Sequence, residues 1–402
     1  MTGVTRRHGL LAATAAMAAP AGGVWSQARP NRLQLWDNAT GVHLRGAVIA
    51  QRRVYPEIDG PEFLGRGSVG APVSDASLAR LARLGANLVV LSHPGLAGEA
   101  PPFAIDPAIE QHLHAIIRRC ARQGLYVVIG FRTGPGRSEF TFHRDQAGSW
   151  FPADHINERV WQSCEAQDGW EAMWAHTARH FRHYSNLAGY LLMVEPNANL
   201  AARGPDGDDL DIWDADRLAE AVAGTPADWP SLCGRLSRAV RAVDPETPIL
   251  VSPDGYANLA FAGLIDRHAV SGQVLAVHDY SPRDYTHQGA GADIEFNPSL
   301  AEFDQPMSGP WMLGEFGVSR WAPGAAGYLA RRIAAAEAQG AAWSVFRWDS
   351  GWRVYENAEN RFNPLYGGDA GARQPDPQSA LLDTLSRAWS SNAARPVPFL
   401  RR

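Results

Sequence analysis

Short apolar segments alternate with amphipathic segments along almost the whole chain, and this alternation limits the folds that the chain can adopt. Eight apolar segments end in polar residues or glycine; they are His43–Ile49, Asn87–Leu91, Tyr126–Phe131, Gly189–Val194, Pro248–Val251, Val274–His278, Trp311–Glu315 and Ala341–Phe346. Between them, segments such as Pro107–Gln123 and Trp229–Val243 carry apolar residues at three-to-four-residue spacing, which predicts helices. Asp106 before Pro107 is typical of a helix start, and Gly124 is typical of a helix end.

Eight strand–helix repeats with no linker between them predict an α/β protein, a single (β/α)8 TIM barrel over about residues 35–392. The length of 402 residues would also suit two or three domains. The competing fold is a doubly wound open sheet, but no Gly-x-Gly-x-x-Gly motif follows the first predicted strand. In a barrel, the chemistry is expected where the strands end.

The composition excludes several classes of chemistry. All 37 basic residues are arginine, so there is no lysine for a Schiff base, a pyridoxal phosphate site or a P-loop. The net charge of −5 and the lack of a basic block argue against nucleic acid as a partner. Neither a Cys-x-x-Cys pair nor a His-Glu-x-x-His helix occurs, so we expect no metal site and no cofactor.

The first 28 residues have the pattern of an export signal. Arg6 and Arg7 form a twin-arginine pair, an alanine-rich apolar run follows them, and small residues precede position 29. The run is too short to span a bilayer. We therefore expect residues 1–28 to be a twin-arginine signal peptide and residues 29–402 to be the mature catalytic domain. That domain would be periplasmic or secreted and would not bind a membrane after the signal is removed.

Two glutamates stand at the ends of predicted strands on opposite sides of the barrel. Glu195 follows the fourth strand and Glu315 ends the seventh, while His278 and Tyr280 end the sixth. Strands four and seven can aim two carboxylates across the barrel mouth at one bond. Hydrolysis of a glycosidic bond needs such a pair, because one acid protonates the leaving oxygen and one carboxylate attacks the anomeric carbon or activates water.

These residues resemble the retaining glycoside hydrolases of clan A, specifically family 5, the cellulase-like family. The resemblance covers essentially the whole barrel and includes the Arg45-Gly46 pair, Glu195-Pro196 and Gly314-Glu315-Phe316-Gly317. It implies that Glu195 is the acid/base and Glu315 the nucleophile. It also implies that His278 and Tyr280 line the subsite for the sugar that is cleaved, and that Trp348 forms its floor.

Three positions differ from the family pattern. Val194 stands where the family has an asparagine before the acid/base, Val89-Val90 replaces an arginine near the end of strand two, and Phe131-Arg132 replaces a strand-three histidine. We expect Arg132 and His93 to supply the missing support, with Arg132 making a bidentate contact with Glu315, and Asn197 to bind substrate. The alternatives are a structural ion pair for Arg132, a helix or turn cap for Asn197 and a loop histidine for His93.

The resulting hypothesis is a retaining β-glycosidase that acts on β-linked oligo- or polysaccharides, by hydrolysis or by transglycosylation. The alternative is a catalytically inactive barrel that only binds carbohydrate. Val194 favours this alternative, whereas the presence of both Glu195 and Glu315 opposes it, because an inactive barrel needs neither. Other barrel hydrolases usually need clusters of metal-ligating histidines, which are not evident. The sequence names neither the sugar nor the oligomeric state.

Overall fold

Eight parallel strands form a closed barrel in the computed structural model, which describes residues 32–37, 41–204, 206–297, 309–355 and 357–396. We number the barrel strands β1 to β8: Arg45–Ala50, Leu88–His93, Tyr126–Phe131, Leu187–Leu191, Ile249–Val251, Gln273–His278, Trp311–Glu315 and Ala342–Val345. Each strand pairs with its neighbours in sequence, and β8 closes the ring by pairing Trp343 with Arg45 of β1. The predicted TIM barrel is confirmed. The predicted signal segment, residues 1–28, lies outside the described residues.

Helices connect successive strands around the outside of the barrel. The α-helices are Pro56–Phe63, Asp75–Arg83, Pro107–Arg122, Cys164–Phe181, Ala198–Ala201, Ala215–Val222, Trp229–Val243, Asp254–Ala257, Arg283–Thr286, Ala325–Ala338, Asn357–Phe362 and Ala380–Trp389. Short 3-10 helices span Arg32–Leu35, Glu139–Gln146, Ala153–His155, Arg159–Trp161 and Leu259–Leu264. The expected cap at Asp106 is present, since its carboxylate accepts hydrogen bonds from the first turn of its helix. Within the described residues, no helix is both long and apolar enough to cross a membrane.

Alternation along each strand divides the core into two layers. In β2, Leu88 and Val90 face a cluster inside the barrel, whereas Val89 and Leu91 join the layer between the strands and the helices. The strands are buried on both faces, which explains why they read as continuous apolar segments. Of the two valines at the position where the family has an arginine, Val90 is therefore the one that faces the barrel interior.

Gly46 is required by the close approach of β1 to β2. A Cβ atom placed at Gly46 would lie 1.8 Å from the backbone oxygen of Leu88, a distance that no side chain can occupy. Gly46 pairs with Leu88 in the parallel ladder between the two strands. The glycine of the Arg45-Gly46 pair thus serves packing, and Arg45 itself binds Glu337 at 2.6 Å on the outer side.

Trp36 closes the end of the barrel at which the strands begin. It is 4% exposed, belongs to the inner cluster, and its Nε1 donates a hydrogen bond to the oxygen of Ala188 at the start of β4 (3.0 Å). Arg32, four residues earlier, donates to the backbone oxygens of Arg182 and Tyr184. Residues 32–37 are therefore part of the folded core, and the interior below the barrel mouth is filled with side chains.

Strand β4 ends earlier than its apolar run predicts. The ladder stops at Leu191, although the buried residues continue through Val194. The amide of Val194 still donates to the oxygen of Phe131 at the end of β3 (2.8 Å). Glu195 consequently stands beyond the strand, at the rim of the barrel, while Val194 packs into the inner cluster.

Candidate active site

Four of the residues predicted from the strand ends lie together at the barrel mouth. His278 and Glu315 are the last residues of β6 and β7, and these strands are neighbours in the barrel. Glu195 comes from across the ring, after β4. Tyr280 follows β6 by two residues. Because parallel strands all end at the same rim, residues far apart in sequence converge here.

His278 lies between the two carboxylates. Its Nδ1 is 2.9 Å from Oε1 of Glu195 and 3.5 Å from Oε2 of Glu315. On the other side of Glu315, the hydroxyl of Tyr280 donates a hydrogen bond to the same Oε2 at 3.0 Å. One oxygen of Glu195 and one of Glu315 lie within 4.8 Å of each other. The site is thus a pair of facing carboxylates with hydrogen-bond donors on each side.

The charges of this group determine its protonation. Burial alone would lower the pKa of His278, but the negative charges of Glu315 and Glu195 outweigh burial and raise that pKa. Burial and the charge of Glu195 raise the pKa of Glu315. For Glu195, burial is outweighed by the hydrogen bond and charge of His278, which lower the pKa. Burial and the neighbouring carboxylates raise the pKa of Tyr280 well above its usual value, so Tyr280 keeps its proton and acts as a donor.

The backbone at Glu195 is held in an unfavourable conformation. Its φ of 52° lies in the left-handed region, which costs a residue other than glycine about 1–3 kcal/mol. Arg137 stabilises this turn, because its guanidinium donates to the backbone oxygens of Val194 at 2.8 Å and Glu195 at 2.6 Å. Arg137 is fully buried. Its position fixes the direction in which the Glu195 carboxylate points.

Arg132 reaches the mouth but binds a different carboxylate from the expected one. Its guanidinium makes a bidentate pair with Glu139, at 2.6 and 3.1 Å, and also donates to the hydroxyl of Ser92. Burial alone would raise the pKa of Glu139, but the charge of Arg132 and the hydrogen bonds of His143 and Arg132 bring it down to about 2. The positive charge of Arg132 adds to the lowering of the pKa of Glu195 and opposes the rise in the pKa of Glu315 that burial causes. Arg132 therefore acts on the site through its charge, and its bidentate partner is Glu139 rather than Glu315.

The expectation that Trp348 forms the floor of a sugar subsite is wrong. Trp348 is 1% exposed and belongs to the layer between strands and helices. Its Nε1 donates to the hydroxyl of Ser77 at 3.0 Å, and its ring packs edge-to-face on Trp389. Strand β8 ends at Val345, so the alternation of the strand no longer decides which way a residue three positions later points.

Asn197 and His93 also lie away from any surface that a substrate could reach. Both are 0% exposed. The amide of Asn197 accepts a hydrogen bond from Trp161 and donates one to Thr141, each at 3.2 Å. His93 is bonded through Nδ1 to the oxygen of Pro94 and through Nε2 to His112. Their assignment as substrate-binding residues is corrected: each stabilises the loop or helix layer behind the mouth.

The structure adds residues that the sequence patterns did not single out. Phe346, one residue beyond β8, is half-buried and stands edge-on to Tyr280 with ring centroids 6.2 Å apart. In β8, Trp343 and Val345 belong to the outer layer, so the same alternation that fails at Trp348 would have placed Phe346 on the inner face. No sequence signal indicated Arg137, whose partners are backbone oxygens.

A second aromatic pair stands beside Glu195. Trp213 is 52% exposed, and its ring is nearly parallel to that of Tyr256, with centroids 6.4 Å apart. The amide of Tyr256 donates to the oxygen of Pro196 at 2.8 Å, and the charge of Glu195 contributes to a raised pKa of Tyr256. Aromatic faces that are open to solvent offer flat apolar surfaces against which a sugar ring can lie.

Within the described residues, two groups offer donors with the spacing of metal ligands: Glu195 with His278 and Glu315, and Glu110 with His176 and His180. In the first group, His278 and Tyr280 already donate hydrogen bonds to the carboxylates. That arrangement suits proton transfer and nucleophilic attack without a metal ion. The second group lies on the outer helices and is separate from the mouth.

A closed (β/α)8 barrel with two facing glutamates at the ends of strands four and seven defines the chain as a glycoside hydrolase. The family described as Cellulase (glycosyl hydrolase family 5) matches residues 66–351, which is most of the chain. The chain therefore belongs to glycosyl hydrolase family 5.

Individual relatives are more distant. The chain is 30% identical over 125 residues to a β-xylosidase from Phanerodontia chrysosporium, a match that covers 31% of this chain and 25% of that relative. A solved structure described as a glycoside hydrolase superposes with a TM-score of 0.61 at 19% identity, covering 86% of this chain and 99% of the other. Thermotoga maritima Cel5A in complex with cellobiose superposes with a TM-score of 0.59 at 16% sequence identity. The match covers 88% of this chain and 97% of that one. Pseudomonas stutzeri endoglucanase Cel5A superposes with a TM-score of 0.58 at 16% sequence identity. The match covers 89% of this chain and 97% of that one.

Proposed function

We propose that the protein is a retaining β-glycosidase in which Glu315 is the nucleophile and Glu195 the acid/base. The separation of the two carboxylates carries this proposal. Retaining enzymes hold the two carboxyl groups about 5–5.5 Å apart, whereas inverting enzymes leave about 6.5–9.5 Å for a water molecule. Here the nearest oxygens of the two carboxylates, which lie closer together than the centres of their carboxyl groups, are within 4.8 Å of each other, and His278 contacts both carboxylates. This spacing favours direct attack by one carboxylate on the sugar.

The reaction proceeds in two displacements. First, a carboxylate oxygen of Glu315 bonds to the anomeric carbon while the glycosidic C–O bond breaks and Glu195 transfers its proton to the leaving oxygen. Then Glu195 removes a proton from water, the water oxygen bonds to the anomeric carbon, and Glu315 is released. The hydrogen bond from Tyr280 to Glu315 holds the nucleophile in position during both steps. Burial and the charge of Glu195 raise the pKa of Glu315, and the charges of His278 and Arg132 oppose this rise and so favour its ionised form.

The substrate class is a β-linked oligo- or polysaccharide. The exposed Trp213 and the half-buried Tyr256 that it stacks on lie beside Glu195, where the leaving group must lie if Glu195 protonates it. A sugar unit of the leaving group can stack there, which favours oligomeric substrates over simple glycosides. The first substrates to test follow from the names of similar proteins. One relative is described as a β-xylosidase, and Thermotoga maritima Cel5A is described in complexes with cellobiose and with mannotriose. These names support xylosides, cellobiose-type glucans and mannotriose as candidates.

The stereochemistry of the first product tests the proposed function. We expect an aryl β-glycoside or β-linked oligosaccharide to release the β-anomer first, as followed by proton NMR within the first minutes of hydrolysis. Two inversions at one carbon restore the starting configuration. The substrate panel comprises β-xylosides, β-glucosides, β-mannosides and β-cellobiosides. Initial release of the α-anomer would show that water attacks directly and would overturn the double displacement.

We also propose that the protein is exported by the twin-arginine route, because Arg6 and Arg7 precede an alanine-rich apolar run. Replacing both with lysine should leave the precursor in the cytoplasm. Cell fractionation with immunodetection measures this, and the unaltered chain is the matched control. If the double variant reaches the periplasm as well as the unaltered chain does, the export proposal is wrong.

A further inference from the structure

Four ionisable side chains converge between two neighbouring outer helices. Glu110 and His114 stand one turn apart on helix Pro107–Arg122, and His176 and His180 stand one turn apart on helix Cys164–Phe181. We call these four residues the Glu110 cluster. Each pair is spaced four residues apart, which places both of its side chains on one face of its helix. None of the four belongs to the catalytic group at the mouth.

The atoms of the cluster are arranged around one carboxylate oxygen. Oε1 of Glu110 is 2.9 Å from Nε2 of His176, 3.1 Å from Nδ1 of His180 and 4.0 Å from Nε2 of His114. The donor atoms of Glu110, His176 and His180 all lie within 4.8 Å of one another. Ligands of a tetrahedral zinc ion, each about 2.1 Å from the metal, are about 3.4 Å apart. Small side-chain movements would bring these atoms to that spacing.

The orientation of His114 gives a second, independent indication. Its Nδ1 is hydrogen-bonded to the hydroxyl of Tyr184 at 2.8 Å, which leaves Nε2 directed towards Glu110. Metal-binding histidines usually have their other ring nitrogen fixed by such a partner. The ring of His114 is also stacked on Phe181, with centroids 4.1 Å apart.

The side chains are accessible from solvent, so an ion can enter. Exposed side-chain fractions are 17% for Glu110, 24% for His176 and 43% for His180. The rings of His176 and His180 are stacked at 4.0 Å, which holds both of them beside the carboxylate. An isolated surface ion pair needs neither a second histidine nor this stacking.

We propose that the Glu110 cluster binds one divalent transition-metal ion of the zinc type through Glu110, His176 and His180, with His114 as the fourth ligand. Imidazole and carboxylate ligands in a four-coordinate arrangement suit Zn²⁺ and its spectroscopic substitute Co²⁺. The ion replaces the protons that the histidines now share with Glu110. It joins two helices that are otherwise connected through packing, and it takes no part in the glycosidase chemistry. This differs from the sequence-based expectation of no metal site, because the ligands come from two helices and form no known motif.

The test uses the full-length protein stripped of metal with EDTA and titrated with ZnCl₂ by calorimetry. We expect one Zn²⁺ per chain, and an increase in melting temperature on saturation. The double variant His176→Gln/His180→Gln should weaken Zn²⁺ binding at least 100-fold and lose the thermal shift. His268→Gln, which removes an exposed histidine elsewhere, is the matched control and should bind Zn²⁺ as the unaltered protein does. With CoCl₂, the unaltered protein should show the visible absorption of four-coordinate cobalt.

Three results would overturn the proposal: no stoichiometric Zn²⁺ binding, unchanged binding by the double variant, or a cobalt spectrum that the double variant retains. Unchanged binding by the double variant would place the ion elsewhere, for example at Glu195, His278 and Glu315. The metal-free double variant is first checked by circular dichroism. Since none of its changed residues is in the catalytic group, its glycosidase activity should equal that of the metal-free unaltered protein, which separates this test from that of the proposed function.

Discussion

Glu315→Ala should lose nearly all turnover on every β-glycoside tested, by roughly 10⁴-fold or more. Without the Glu315 carboxylate no glycosyl-enzyme can form, so activated and unactivated leaving groups are affected alike. Steady-state hydrolysis of aryl glycosides and of an oligosaccharide measures the loss. Sodium azide can occupy the vacated space and attack the anomeric carbon directly. The expected product is therefore the α-glycosyl azide.

Two further variants make this result specific. Glu220→Ala removes an exposed glutamate on helix Ala215–Val222 and should leave turnover unchanged. Glu315→Gln keeps an oxygen that can accept from Tyr280, so a loss of turnover without a change in melting temperature identifies the missing nucleophile. Retention of more than about a tenth of the activity in both Glu315 variants would mean that another carboxylate attacks the sugar. Glu139 and Asp349 would be the next candidates.

Glu195→Ala should discriminate between leaving groups. Turnover of substrates with poor leaving groups should fall by roughly 10²–10⁴-fold, the usual contribution of a general acid, while the first step with an activated aryl group should be nearly unaffected. The second step should slow, since no base remains to activate water, and a burst of aryl alcohol should precede the steady state. Azide needs no base, so it should restore turnover and yield the β-glycosyl azide.

The anomeric configuration of the azide products shows whether Glu315 is the nucleophile and Glu195 the acid/base, as proposed, or whether the two roles are the other way round. In the substrate-free site, burial and the charge of Glu195 raise the pKa of Glu315, whereas burial of Glu195 is outweighed by His278, so its pKa is lowered. These directions are the reverse of those that an acid at Glu195 and a nucleophile at Glu315 need, so the proposed roles require that the substrate moves His278 or otherwise changes the surroundings of the two carboxylates. An α-azide from Glu195→Ala and a β-azide from Glu315→Ala would show that the roles are exchanged.

The barrel was predictable because its determinants are local and repeated. Each strand is buried on both faces, so each appears in the sequence as a short continuous apolar run, and Asp106 caps its helix as its position predicts. Glu315 and His278 could be placed because they are the last residues of their strands. The position of a residue in a hydrogen-bonded strand determines the direction of its side chain. Because all strands end at the same rim of the barrel, the side chains of their last residues lie close together.

Trp348, Asn197 and Arg132 lie where the ladder no longer determines direction, whereas His93 is the last residue of β2 and follows Val89 and Leu91 to the outer face. Trp348 stands three residues beyond β8 and turns back into the helix layer, and Asn197 stands in the turn after β4, where Trp161 and Thr141 take up its amide. The expected partner of Arg132 is Glu315, because no pattern in the sequence indicates that Glu139, seven residues later, folds back to Arg132. Long-range contacts of loop residues depend on the path of the loop, which apolar periodicity does not specify.

The tryptophan that seals the base of the barrel has a kinetic consequence. Because Trp36 and the inner cluster fill the interior below the mouth, substrate, water and both products share one opening. The departing alcohol of the first displacement leaves along the path by which the attacking water arrives. If the proposed double displacement holds, that alcohol, or a second sugar stacked on Trp213, competes at high concentration with water for the covalent intermediate. The ratio of hydrolysis to chain extension should then depend on acceptor concentration.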